Sequence, residues 1–379
     1  MLSSASRCLT YLLLLVPPLV VSFYLLASFP PPPAPLPLAA HPGLSSLSPD
    51  AAARTIYPDD WLPEGGYAEF PLGRTRYWLA GPADGTKIVL IHGLSVPALI
   101  WAPLVPQLTA AGHRVLLYDL YARGYSDAPL AAPHDAALYT TQLALLMQHI
   151  GWSRARLVGL SMGGGIAAAF AAAFPALVDR DVVLMGSAGL LEAADLSRTA
   201  KFMSSPLVQA LTSSPFIFAY LRRLAARVDS ASPPDHPFAH IAPENPNPNS
   251  APPTSPLTAD GTAEAHDPAP LAALVRAQSA YLRGFNGAVS SSLRSGPVAG
   301  LASAFERLGR DGRRVLVLQG NNDHTVPPAH AQRIAELTGS APPTGAAANV
   351  RMIDGAGQAL TWTHAGEVGR AVCAFLAGH

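Results

Sequence analysis

Between residues 87 and 377 the chain alternates short β-rich runs with helical stretches, and this alternation restricts its fold more than any other feature. Aliphatic and β-branched runs occur at Lys87–Ile91, Val115–Asp119, Arg156–Gly159, Asp181–Met185, Arg314–Gln319 and Val350–Ile353. Helical patterns lie at Trp101–Ala111, Thr140–Ile150, Gly164–Phe174, Ala329–Thr338 and Gly366–Ala377. Strands separated by such helices need right-handed crossovers, which pair them in parallel and bury both faces of the sheet. Earlier runs near Tyr67–Phe70 and Arg74–Ala80 add an antiparallel edge. The long gap between Met185 and Arg314 breaks the rhythm and holds two helical regions, Lys201–Val228 and Leu271–Leu308. An excursion of this kind departs from the carboxyl ends of the strands, where open α/β sheets bind ligands. The expected fold is therefore α/β, a mostly parallel sheet covered by helices on both faces and interrupted by an inserted helical cap.

The flanking composition sets the boundaries. Leu9–Phe29 carries no charge and is long enough to span a bilayer as a helix. It reads as an uncleaved membrane anchor, with a signal peptide cleaved near Ala27 or Ala39 as the alternative. Arg7 is the only basic side chain before Arg54, so the positive-inside rule puts the amino terminus in the cytosol and the rest on the extracytosolic or lumenal side. Prolines 30 to 33, 35, 37 and 42 then read as a stiff spacer. Residues 230–270 hold eleven prolines among Ala, Ser, Asn and Asp, too little apolar surface to offset the entropy of ordering. The organisation expected is an anchor or signal over 1–29, a Pro-rich linker over 30–66, and a first core segment over 67–189. A cap with a disordered insert follows over 190–312, then a second core segment over 313–379.

Charge excludes one class of partner. With 25 basic and 25 acidic residues the chain offers no net positive charge to neutralise phosphates, so nucleic acid is not expected. Two cysteines, Cys8 and Cys373, supply neither a disulfide framework nor a cysteine zinc site. No cofactor or metal is implied, because the chain has no phosphate loop, dinucleotide fingerprint or metal-ligand spacing.

The sharpest local motif is Gly159-Leu160-Ser161-Met162-Gly163, set between a predicted strand and a small-residue helix. A tight strand-turn-helix needs glycines on either side of the serine so that neighbouring backbone can pass. It leaves the hydroxyl above a helix amino terminus, which favours developing negative charge. Directly after the first parallel strand comes His92-Gly93-Leu94-Ser95. In this architecture the Leu94 N–H pairs with the Met162 N–H to make an oxyanion hole. His92 itself reads as structural rather than as a base.

Taken together, these residues resemble the α/β-hydrolase superfamily, in its esterase- and monoacylglycerol-lipase-like branch. The resemblance rests on His92-Gly93 with Trp101, the run Tyr118 to Asp127, the serine turn, and the run Val315 to Pro327, all in family order. It implies Ser161 as nucleophile and Asp323 as the acid of a triad. Asp119 and Asp127 fall in a bracing motif, and His324 in a loop role. The departure is at the last position: the family expects Gly-x-Gly-His, and this chain has Gly355-Ala356-Gly357-Gln358. Gln358 stands where the general base belongs, and an amide cannot shuttle a proton near neutral pH. His364, six residues on, is the one candidate substitute base; the plainer reading is a histidine at a helix start.

Two functions follow from the resemblance. One is a membrane-anchored serine hydrolase acting on a carboxylic ester, either a small molecule or a lipid acyl ester, with Phe216–Leu221 as a candidate acyl-chain wall or simply cap core. The other is a catalytically degenerate binding or scaffold protein, motivated by Gln358. Non-ester chemistry such as carbon–carbon hydrolysis shares the same serine turn.

Overall fold

A computed structural model describes residues 14–24, 39–192, 194–195, 201, 205, 267–339 and 349–378. Residues 1–38 form one unit and 39–379 another. In the first, residues 14–24 are helical with Leu14, Leu19, Val20 and Phe23 exposed. Among the described residues no helix is long and apolar enough to cross a membrane. The apolar segment Leu9–Phe29 extends past 14–24 at both ends, outside the described residues. So do the proline run 30–37, the cap stretch 206–228 with Phe216–Leu221, and the insert up to residue 266.

The second unit is built on an eight-stranded sheet. Its strands are β2 (Glu64–Phe70), β3 (Gly73–Ala80), β4 (Thr86–Ile91), β5 (His113–Tyr118), β7 (Ala155–Leu160), β8 (Val178–Met185), β9 (Arg314–Gly320) and β10 (Val350–Ile353). Their spatial order is β10-β9-β8-β7-β4-β5-β3-β2. Pairing is parallel from β10 to β5 and antiparallel at β5–β3 and β3–β2. The central strands are apolar without alternation because both faces are covered. Ile88, Leu90, Val158 and Leu318 face one core layer, and Val89, Ile91, Leu157 and Val317 face the other. A separate two-stranded ladder pairs β1 (Ala40–His41) with β6 (Ala128–Pro129).

Among the described residues the helices of the second unit are α1 (Ala52–Ile56), α2 (Val105–Ala110), α3 (Ala136–His149), α4 (Met162–Ala173), α5 (Ala269–Tyr281), α6 (Phe285–Ser295), α7 (Ala302–Arg310), α8 (Ala329–Leu337), α9 (Leu360–Thr363) and α10 (Ala365–Ala377). The predicted helix Trp101–Ala111 is divided: Ala98–Trp101 is a 3-10 turn and α2 starts only at Val105. Pro103 and Pro106 account for this, since proline suits a helix start and not an interior. The helical region expected at Leu271–Leu308 consists of three helices, α5, α6 and α7. The last of these, α7, buries Ala304, Phe305 and Leu308 in the same layer as Ile166 and Phe170 of α4. It therefore covers the sheet rather than the site.

The predicted linker 30–66 also needs correction. Leu44 and Tyr57 are fully buried and Trp61 nearly so, and Tyr57, Trp61, Trp78 and Tyr125 pack ring against ring. Tyr57 donates its hydroxyl proton to Asp119 at 3.1 Å and accepts from Tyr125 Oη at its carbonyl. The folded unit thus begins near Ala39, and the stretch 40–62 contributes Leu44, Ala53, Tyr57 and Trp61 to its core. Tyr57→Ala removes a buried ring and one of three donors to Asp119, and should cost about 3–5 kcal/mol by analogy with buried Phe→Ala. Urea unfolding of the variant tests this; a midpoint within error of the parent would restore the linker reading.

Candidate active site

The site is assembled at the carboxyl edge of β4, β7, β8 and β9. Ser161 follows β7 directly and starts α4, with φ 56° and ψ −124°. It is one of two non-glycine residues at positive φ among those described. Such a conformation costs on the order of 1–3 kcal/mol and survives only where surroundings impose it. Here the Ser161 N–H donates to Met185 O at 2.8 Å, and the Ser161 carbonyl accepts from Ala188 N at 3.0 Å. The flanking glycines are required by close approach: a Cβ on Gly163 would collide with the Ile91 carbonyl, and one on Gly159 with the Gly163 carbonyl.

Ser161 is half-buried, and its hydroxyl has no hydrogen-bond partner among the described residues. Gly93 lies against it: an ideal Cβ there would stand 3.1 Å from Ser161 Cβ and 3.6 Å from Oγ. The Met162 N–H is at the first helical position, where no intrahelical acceptor exists. The Leu94 N–H has no acceptor among the described residues either. Two unused backbone donors thus lie on the loops that flank the serine.

Asp323 follows β9 and is almost fully buried. Its Oδ1 accepts from Thr325 N at 2.8 Å and Val326 N at 3.0 Å, and its Oδ2 from Gln319 Nε2 at 3.0 Å. Burial pushes its carboxyl above the usual carboxylate range, against these three donors. Gln358 comes to the same place from the loop after β10. Both converge on Gly186, at φ +46°, whose ideal Cβ would stand 2.9 Å from Gln358 Nε2 and 3.2 Å from Asp323 Oδ2. Gln358 Nε2 donates to the Gly186 carbonyl at 3.0 Å, while its Oε1 is buried with no hydrogen-bond partner among the described residues.

Neither His92 nor His364 fills the missing role. His92 is fully buried, takes the Leu120 N–H on Nε2 at 2.9 Å, and lies 2.9 Å from Gly93 O through Nδ1. Burial lowers its pKa to about 3, so it stays neutral with both nitrogens engaged. His364 bonds Thr363 Oγ1 through Nδ1 at 2.8 Å, and its Nε2 faces Gly355. It makes no hydrogen bond to Ser161 or Asp323. His324 is exposed. Asp119 and Asp127 brace loops: Asp119 accepts from Ala98 N, Tyr125 N and Tyr57 Oη, and Asp127 from the backbone and side chain of Arg74.

Sequence reasoning missed Arg123 and Gln278. Arg123 is fully buried and has no carboxylate partner among the described residues; it donates to Leu94 O, Tyr121 O, Tyr139 Oη and Ser292 Oγ. Gln278, on α5, is equally buried. Arg123 sits inside the quoted run Tyr118–Asp127, yet nothing local marks where its guanidinium goes.

A family model described as alpha/beta hydrolase fold matches residues 86–365. The chain belongs to that family. Over 109 residues it is 36% identical to the 2-hydroxymuconate semialdehyde hydrolase of Pseudomonas sp., which covers 28% of this chain and 38% of that enzyme. The chain spans between 36% and 39% of the length of the first curated relatives it matches. In fold it is similar to a hydrolase from Pseudomonas aeruginosa, with TM-score 0.57 and 19% identity over 83% of this chain and 99% of that one. It is also similar to a membrane phospholipase A, with TM-score 0.56 and 20% identity over 98% of each chain.

The strain at position 161 predicts an inverted substitution order. At an ordinary site alanine is more stable than glycine by about 0.4–1 kcal/mol. Here Ser161→Gly should be more stable than Ser161→Ala by about 1 kcal/mol, because only glycine is at ease at this φ. Paired denaturant titrations measure the difference, and the ordinary order would mean that the turn is not strained.

Proposed function

We propose that the chain is a serine hydrolase of carboxylic esters, either small molecules or lipid acyl esters, that works without a histidine in the usual position. The observation that carries this reading is the serine turn, with Ser161 held at positive φ directly before the unused Met162 N–H and with Gly93, which precedes the unused Leu94 N–H, lying against its side chain. Ser161 Oγ attacks the ester carbonyl carbon, and the oxygen that becomes negative is received by the N–H groups of Leu94 and Met162. As the Oγ–C bond forms the serine proton passes to water, the ester C–O bond breaks and the leaving alkoxide takes that proton back from water. A second water then attacks the acyl carbon, leaving the carboxylic acid and returning a proton to Ser161 Oγ. Asp323 supplies the acid beside the amide of Gln358. Because Gln358 cannot accept the serine proton, turnover is slow. Losing a triad histidine costs on the order of 10⁶ in kcat and leaves roughly 10³–10⁴ over water.

The apolar segment Leu9–Phe29 supports a membrane tether, with the catalytic unit on the extracytosolic or lumenal side. Cleavage of that segment would instead release a secreted enzyme. A second reading, a binding module on the hydrolase fold, is favoured by one observation: the Gln358 amide is tied to the Gly186 carbonyl and offers no base.

Labelling with a fluorescent phosphonate, which traps activated serines, separates the two readings. The hydrolase reading predicts slow labelling of the parent, none in Ser161→Ala, and faster labelling in Gln358→His. Labelling confined to Gln358→His would sink the hydrolase reading and leave the binding module.

A further inference from the structure

The loop that carries Leu94 is held carbonyl by carbonyl. His92 Nδ1 lies 2.9 Å from Gly93 O, Arg123 Nε donates to Leu94 O at 2.8 Å, and Gln278 Nε2 donates to Ser95 O at 3.2 Å. The acceptor role of His92 Nε2 toward the Leu120 N–H leaves its proton on Nδ1, so that contact too is a donated hydrogen bond. All three side chains are fully buried. A peptide group is planar, so fixing the Gly93 carbonyl fixes the direction of the Leu94 N–H on its opposite edge. The two following carbonyls hold the chain on the far side of Leu94, so its backbone dihedrals are set from both directions. Arg123 and Gln278 strengthen this in different ways. The contact of Arg123 is charge-assisted, and Gln278 bridges two loops, since its Oε1 also accepts the Gly124 N–H at 2.8 Å.

We propose that Gln278 is a positioning residue for the Leu94 oxyanion donor, supplied by a helix of the excursion between β8 and β9 rather than by the sheet. The inference rests on the active-site reading above and adds to it a dependence on the seating of α5. With Gln278 in place the donor is aimed before any ligand arrives, and no reorganisation accompanies the appearance of negative charge. Without it the Ser95 carbonyl loses its donor, the Gly124 N–H loses its acceptor, and the far side of Leu94 is held by Arg123 alone.

A boronic acid tests this without requiring a base, because it forms a tetrahedral anion on a serine oxygen at equilibrium. The full-length chain would be titrated with butaneboronic acid and followed by ¹¹B NMR across pH, beside Ser161→Ala, Gln278→Met and Gln278→Asn. Gln278→Met keeps the length of the side chain without its polar atoms, and Gln278→Asn is too short to bridge both loops; both are neutral, so neither repels the anion. The parent is expected to hold tetrahedral boron in a Ser161-dependent manner. Each Gln278 variant should bind it about tenfold more weakly, moving the pH midpoint of the bound tetrahedral signal up by about one unit, less than the roughly 10²–10³ that outright removal of an oxyanion donor costs because the donor is misaimed rather than removed. Circular dichroism would establish that each variant is folded, and either folded variant suffices. An unchanged midpoint in a folded variant would overturn the positioning role alone. Absence of a Ser161-dependent tetrahedral signal in the parent would overturn the active-site reading, and this inference with it.

Discussion

The chain can enter α4 from β7 only by a reversal that puts Ser161 at φ 56°, and the carboxyl edge of the sheet is arranged to hold that reversal. The helix then passes so close to β4 that position 163 tolerates no Cβ. In return, the serine peptide is anchored to Met185 and Ala188 on the neighbouring strand and its loop, and Gly93 lies against the side chain. A residue in this conformation is stable only while β4, β7 and β8 are all in place, so the geometry of Ser161 is a property of the sheet and not of the turn alone. The direction of the Met162 N–H follows from the same reversal, because it is the first donor of the helix.

The acid side of the site depends on a second missing Cβ. Gly186 gives Asp323 and Gln358 a common floor, and its carbonyl takes one amide proton of Gln358. A buried carboxylate with an elevated pKa would ordinarily be matched by the positive imidazolium that forms during acyl transfer. Here it faces a neutral amide. On the proposed reading, the polar frame of a hydrolase is retained while the one group that changes charge is absent. The unpartnered Gln358 Oε1 fits a position whose frame is shaped for another side chain.

Much of this was legible in the sequence, for physical reasons that differ from element to element. The central strands are apolar on both faces, so Ile88–Ile91 and Val315–Leu318 announce themselves, and the glycines beside Ser161 mark the turn because no other residue fits. Gln358 was legible as a departure from a motif. By contrast, residues 40–62 read as linker because Leu44, Tyr57 and Trp61 are isolated apolar residues without period, and only tertiary packing shows what they bury against. Arg123 and Gln278 were invisible because their contacts join the Leu94–Ser95 loop to segments far along the chain, and no local pattern encodes such a bridge.

The central claim is that the site is complete except for its base, and restoring the base tests it most directly. Steady-state hydrolysis of p-nitrophenyl butyrate by the parent and by Gln358→His would be compared, with Gln358→His/Ser161→Ala as the control. If the frame is intact, the single substitution should raise kcat by at least about 10²-fold, a fraction of the roughly 10⁶ that a triad histidine is worth, and the gain should vanish in the control. A folded Gln358→His variant no faster than the parent would contradict the account, because a histidine beside Asp323 and Ser161 could then not be used.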